Sequence, residues 1–310
     1  MFADIQEQGP AHTVGIESGD LLLTMNGHQI DLTKPPVFPV GGAVTVSIRK
    51  KDGRNVQAAI TVPKLRASKQ PFTLPQPVVS SKLEDQTAYL KVNMFPGLVG
   101  IDVSRDIDRA VASFQDCERL VIDLRGNSGG GLGGLRLMGY LTPDRLPVGH
   151  SVTRKRAKDR YNKEKLSRFG RIPNHKWLLP WLALRYAFID HSIALVTEGL
   201  GPQPFHGRTA ILVNQHSASA AEMVAAFAQE NKLATIVGTK TPGRLVGSRP
   251  FKLPEGYFLV LPVGAYVTWA GKTLEGSGIE PDVAVELSYE ALLQGKDNQL
   301  EKAIEVTGTP

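Results

Sequence analysis

Two apolar runs in this 310-residue chain, RLVIDL at residues 119–124 and RTAILVNQ at 208–215, each give way to residues with almost no side chain. The first runs into RGNSGGG (125–131) and the second into HSASAAE (216–222). A continuous apolar run of this length reads as a strand covered on both faces, which restricts the chain to a layered architecture around a parallel sheet. The neighbouring segments agree. TAYLKVNMF (87–95) reads as a strand, SRDIDRAVASFQ (104–115) has helical spacing, and RLVIDL follows. The order recurs as RTAILVNQ, SAAEMVAAFAQEN (219–231) and ATIVGT (234–239). Strand, helix, strand predicts parallel pairs joined by crossover helices, so the main body is α/β.

Around that body the chain divides by composition. Residues 1–66 read as short strands and turns, with Asn26-Gly27 and Asp52-Gly53 as hairpin signals. Residues 67–82, rich in proline and serine, read as a linker, and 83–310 as the core. Within the core, 150–205 lacks the strand–helix rhythm and is expected to be a cap insertion. Its basic run TRKRAKDRYNKEKLSRFGR (153–171) reads as a solvated helical face. Its apolar stretch WLLPWLALRYAFI (177–189), broken by Pro180 and Arg185, reads as a core or lid helix. Contact with a membrane surface is the lesser reading there, since tryptophans also anchor at interfaces.

A net charge of +6 over 310 residues is a surface average, and no nucleic-acid partner is expected from it. The lone Cys117 forms no internal disulfide. No apolar stretch reaches the ~20 residues that span a bilayer, and residues 1–20 lack a charged start followed by an apolar run.

The chemistry is expected where the two strands end. Consecutive glycines at 129–131 admit backbone conformations closed to other residues; they read either as a flexible loop or as a nest of N–H groups for an anion. Ser219-Ala220-Ala221-Glu222 fits a capping box, in which hydroxyl and carboxylate satisfy helix-start N–H groups. The same geometry serves a nucleophile: a serine at a helix start is exposed, with free N–H groups and a partial positive charge beside it.

Together, VIDLRGNSGG, the stretch from ILVNQHSASAAE to TKTPGR, and EGSGIEPDVAVE resemble the C-terminal processing peptidases, or tail-specific proteases, over roughly residues 75–290. GPAHTVGIESGDLLLTMNGHQI (9–30) looks like the second half of a PDZ domain, placed where that family has one. The resemblance implies a ClpP/crotonase-like core of parallel strands and helices, with a partial PDZ-like module in front. It implies a serine-type endopeptidase acting on protein or peptide substrates without metal or organic cofactor. The nucleophile falls on Ser219, and the oxyanion-hole N–H groups fall on Gly129 and Ala220; Ser128 stands where the family has proline. Relatives commonly act outside the cytoplasm, so a periplasmic or extracytoplasmic site is expected if an export signal precedes Met1, and a cytoplasmic one otherwise.

One position departs from the family. Its base is a lysine, 25 residues after the nucleophile, and that place is Arg244. A guanidinium keeps its proton at any working pH and cannot accept another. The family's orienting aspartate falls on Glu230, so the resemblance puts Arg244 and Glu230 with Ser219 among the catalytic positions, where the two could form an ion pair instead of a catalytic relay. Lys240 or His216 is then an alternative base, and His175, His191 and His206 are expected to be packing or surface residues. Two other classes stay open: a peptide-binding protein that has lost catalysis, and an esterase or amidase for small acyl compounds.

Overall fold

The computed structural model describes residues 2, 5, 9–30, 36–63, 76–158, 161–186, 192–254 and 257–308, without the side chains of residues 249, 250 and 258. Most of the expected linker, residues 67–75, lies outside the described residues. The chain divides into two compact units, residues 1–76 with 287–298, and residues 77–286 with 299–310.

The first unit holds strands β1 (Leu21–Met25), β2 (His28–Gln29), β3 (Ala43–Arg49) and β4 (Asn55–Thr61) in one antiparallel sheet of order β2-β1-β3-β4. Asn26 and Gly27, with φ of 48° and 79°, make the tight turn between β1 and β2. Val44, Val46 and Ile48 alternate inward along β3 and pack with Ile16 and Ile60.

In the second unit β5 (Val78–Lys82) and β6 (Thr87–Val92) lead through α1 (Ile101–Ala112), β7 (Arg119–Asp123) and α2 (Gly134–Leu141) to β8 (Pro147–Thr153). Then come α3 (Arg154–Lys158), β9 (Ser167–Phe169), α4 (Leu179–Tyr186), β10 (Ile193–Val196), β11 (Thr209–Val213), α5 (Ala220–Glu230) and β12 (Thr235–Gly238). The chain continues as β13 (Val246–Lys252), β14 (Phe258–Thr268) and β15 (Val283–Ala284). After α6 (Tyr289–Leu293), which belongs to the first unit, it ends in α7 (Asn298–Gly308).

A six-stranded sheet of order β15-β12-β11-β7-β6-β5 forms the centre, parallel from β15 through β6, with β5 antiparallel at one edge. Leu120 and Ile122 of β7 and Ile211 and Val213 of β11 face the main core with Val224 and Phe227 of α5. Their alternates Val121, Ala210 and Leu212 face Ala303 of α7. Burial on both faces is what makes these strands read as unbroken apolar runs. Gly134 lets α2 lie close on α5, since a Cβ there would meet the Val224 side chain at 3.1 Å.

Two expectations differ from this picture. Residues 78–82, placed in the linker, form β5. The expected cap at 150–205 carries β9 and β10 and the end of β8, which belong to a five-stranded sheet of order β13-β14-β8-β10-β9. These strands are three to seven residues long and pair with partners far away in the chain, so no local rhythm announces them.

Candidate active site

β7 and β11 are parallel neighbours, so the loops at their C-terminal ends emerge on the same edge of the sheet, the usual place for a site in such a fold. A set of hydrogen bonds locks the two loops together. Ser217 Oγ donates to the Leu124 carbonyl at 2.8 Å, Gly126 N–H to Asn214 Oδ1 at 3.1 Å, and Ala218 N–H to the Asn127 carbonyl at 2.8 Å. The fully buried Asn127 carboxamide donates to the Val92 carbonyl at 2.8 Å, tying β6 to the same corner. Of the two hydroxyls in HSASAAE, Ser217 is therefore a buried strut, and Ser219 is the one left partly exposed.

Ser219 caps α5 with φ 56° and ψ −117°, a backbone region that L-residues other than glycine rarely enter. A sharp strand-to-helix turn of this kind presents a side-chain oxygen outward. Gly129 abuts it. A Cβ on Gly129 would lie 2.5 Å from the Ser219 Cβ and 2.9 Å from the Ala220 nitrogen, and the φ of Gly129 is +95°. The three residues singled out as nucleophile and oxyanion donors are thus brought together. The Ala220 N–H, at the first position of α5, has no acceptor among the described residues, as expected at a helix start. The Gly129 N–H does have one: it donates to Asn127 Oδ1 at 2.8 Å. Ser128 is exposed and, unlike proline, carries an N–H of its own.

The carboxylate of Glu222 organises the far side. Fully buried, it accepts four hydrogen bonds: from Ser219 N–H (3.0 Å) and Arg244 N–H (2.9 Å) on Oε2, and from Gly243 N–H and Thr241 Oγ1 (both 2.7 Å) on Oε1. Thr241 Oγ1 itself accepts from Ile279 N–H at 2.7 Å, which turns its proton toward Glu222. The capping box accounts for the first of these bonds; the other three, from a loop about twenty residues on, have no signal in the spacing.

The expected bases are dispersed. Arg244 contributes its backbone N–H to Glu222 while its side chain is exposed. Glu230 does not pair with Arg244; it accepts from Thr268 Oγ1 at 2.8 Å and lies 3.9 Å from Lys272 Nζ. It sits at the last position of α5, a helix length from Ser219, where it meets the end of β14. Lys240 is exposed and paired with Glu280, and His216 is exposed. His206 is bonded to the Tyr140 carbonyl at 2.9 Å, His175 stacks on Trp177, and His191 lies outside the described residues. Sequence reasoning gave no role to His150, whose Nε2 lies 2.8 Å from the Tyr161 hydroxyl. Its pKa is lowered, first by burial and then by Lys163.

Beside the glycine loop is an apolar cavity of about 620 Å³, lined by residues 96–102, Leu132, Phe169, Lys176 and one side of α4. Its 96–100 wall packs directly on the glycines: a Cβ on Gly131 would lie 1.9 Å from the Gly97 carbonyl oxygen.

A family model described as peptidase family S41 matches residues 86–285. The carboxyl-terminal-processing protease of Picosynechococcus sp. is 24% identical over 309 residues, taking in 96% of this chain and 64% of that protein. Carboxyl-terminal-processing peptidase 3, chloroplastic, of Arabidopsis thaliana is 23% identical over 290 residues, 89% of this chain and 49% of its own length. The chain thus spans about half to two thirds of these relatives. The solved structure of the photosystem II D1 C-terminal processing protease has the same fold, with a TM-score of 0.54 at 19% identity over 98% of this chain and 71% of that one. The matched span runs from β6 to β15 and contains both strand-end loops and the Glu222 hub: the chain belongs to peptidase family S41.

Proposed function

We propose that this chain is a serine-type endopeptidase in which Ser219 is the nucleophile. Its Oγ attacks the carbonyl carbon of a peptide bond, and its proton passes to a base and then to the departing amine. Water hydrolyses the resulting acyl-enzyme. The developing oxyanion is received by the Ala220 N–H and, once released from Asn127, the Gly129 N–H. The observation that carries the reading is the strained Ser219 turn pressed against Gly129 at the start of α5. The apolar cavity beside the loop takes an uncharged substrate side chain. In this proposal residues 1–66 are a partial PDZ-like module and 83–310 the peptidase core. The test is cleavage of an unfolded protein, together with labelling by a fluorophosphonate, in the wild type and in Ser219→Ala. Cleavage and label are expected in the first alone; equal cleavage by both removes Ser219 as nucleophile, and cleavage of short acyl esters without any peptide identifies an esterase.

Two observations favour a second reading, a peptide-binding protein with little turnover: the Arg244 side chain cannot act as a base, and the Gly129 N–H is occupied. The loop bearing Arg244 is nevertheless held by the same carboxylate that holds Ser219. Arg244→Lys is therefore expected to raise the rate of peptide cleavage by at least about a hundredfold, the low end of what a positioned base supplies. A fall in rate means that the guanidinium itself is needed. Lys240→Ala and His216→Ala, measured beside it, locate the proton acceptor.

A further inference from the structure

Residues 154–186 hold eleven of the chain's 36 lysines and arginines and only two of its 30 carboxylates. The remainder, with 25 basic and 28 acidic residues, is net negative, so the whole positive charge of the molecule belongs to this one segment. Three of its guanidiniums converge with that of Arg145, which precedes the segment. Arg145, Arg168, Arg171 and Arg185 line a cleft of about 660 Å³ with His175, Trp181 and Tyr186, and no carboxylate lines it among the described residues. Arg168 has one exposed partner, Glu164, at 3.7 Å. Arg185 lies over the rings of Trp181 and Tyr186, 5.7 and 5.6 Å from their centroids.

The helix beside this cleft is apolar on two sides. Leu179, Leu182 and Tyr186 turn inward to the apolar cavity. Trp177, Trp181 and Leu184, spaced four and three residues apart, form an outward stripe and are 74%, 60% and 62% exposed. Water is a poor solvent for such a stripe, and nothing in the peptidase chemistry uses it. Exposed tryptophan and leucine beside a cleft of arginines match a surface that is apolar within and anionic outside.

We propose that this face docks on an anionic phospholipid bilayer, with Trp177, Trp181 and Leu184 entering the headgroup layer and the four arginines meeting lipid phosphates. No described helix is long and apolar enough to cross a membrane, so the contact is peripheral. It does not depend on the proposed peptidase activity.

The test is flotation of the full chain with vesicles of phosphatidylglycerol and phosphatidylcholine, or of phosphatidylcholine alone, while tryptophan emission is followed. Binding is expected with the anionic vesicles only, with emission shifted to the blue because two of the three tryptophans lie on this face. Each arginine contributes about fivefold to affinity, so Arg171→Gln/Arg185→Gln is expected to weaken binding by about twentyfold and raised salt to weaken it further. Trp177→Ala/Trp181→Ala removes the emission shift and weakens binding by at least about tenfold. Circular dichroism confirms that both variants fold, as these side chains are largely outside the core. Absence of flotation with anionic vesicles at low salt overturns the proposal, as does undiminished flotation of the tryptophan variant. Binding of single-stranded DNA more tightly than vesicles, with no dependence on the tryptophans, assigns the charge to nucleic acid instead and also overturns it.

Discussion

Ser219→Gly is expected to abolish peptide cleavage and at the same time to make the protein more stable. The wild-type serine is held at φ 56° and ψ −117°. A side chain in such a region costs about 1–3 kcal/mol, and glycine enters it freely. Against this, glycine loosens the unfolded chain by about 0.4–1 kcal/mol. The balance is a gain of about 1 kcal/mol, read as a rise in thermal midpoint of about 2–4 °C. Ser219→Ala keeps the strained turn and serves as the control; without the capping hydroxyl, worth about 0.5–2 kcal/mol against alanine and only a few tenths against glycine, it is expected to melt below the wild type. Both variants lose the proposed nucleophile, with a drop in cleavage of at least about 10³-fold. A glycine variant no more stable than the alanine variant means that the turn is not strained. A glycine variant that still cleaves means that the strain serves something other than catalysis.

The parts of this site that were legible in the sequence are those set by local chemistry. The β7 and β11 strands declare themselves because both faces of each are buried, and the Ser219–Glu222 capping box is written in four adjacent letters. What stayed hidden depends on chain segments meeting across the fold. Val78–Lys82 lies beside Pro75 and Pro77 and is exposed at four of its five positions, so its residues look like a linker although they pair with β6 along its whole length. Counting residues also put Glu230 with Arg244, but α5 carries Glu230 a helix length away from Ser219, to Thr268 and Lys272. The Asn127 carboxamide is equally invisible, since its bond to the Val92 carbonyl spans 35 positions.

Glu222 has the largest expected effect on folding. Its two oxygens accept four donors from the ends of two loops: the N–H groups of Ser219, Gly243 and Arg244 and the hydroxyl of Thr241. Glu222→Ala removes all four acceptors at a site with no solvent exposure. Each buried donor left without a partner costs about 1–3 kcal/mol, and the losses do not add in full because the emptied space admits water. A total of about 4 kcal/mol lowers the thermal midpoint by about 8–16 °C. Glu222→Gln preserves the volume but turns an amino group toward two of the four donors, so it is expected to recover no more than about half of that loss. The loop 241–244 is also released from the start of α5, and cleavage is expected to fall further than the unfolded fraction explains. Differential scanning calorimetry on both variants, with cleavage measured well below the midpoint, separates the two effects. An alanine variant melting within about 1 °C of the wild type would show that the four bonds are not what joins Ser219 to the 241–244 loop.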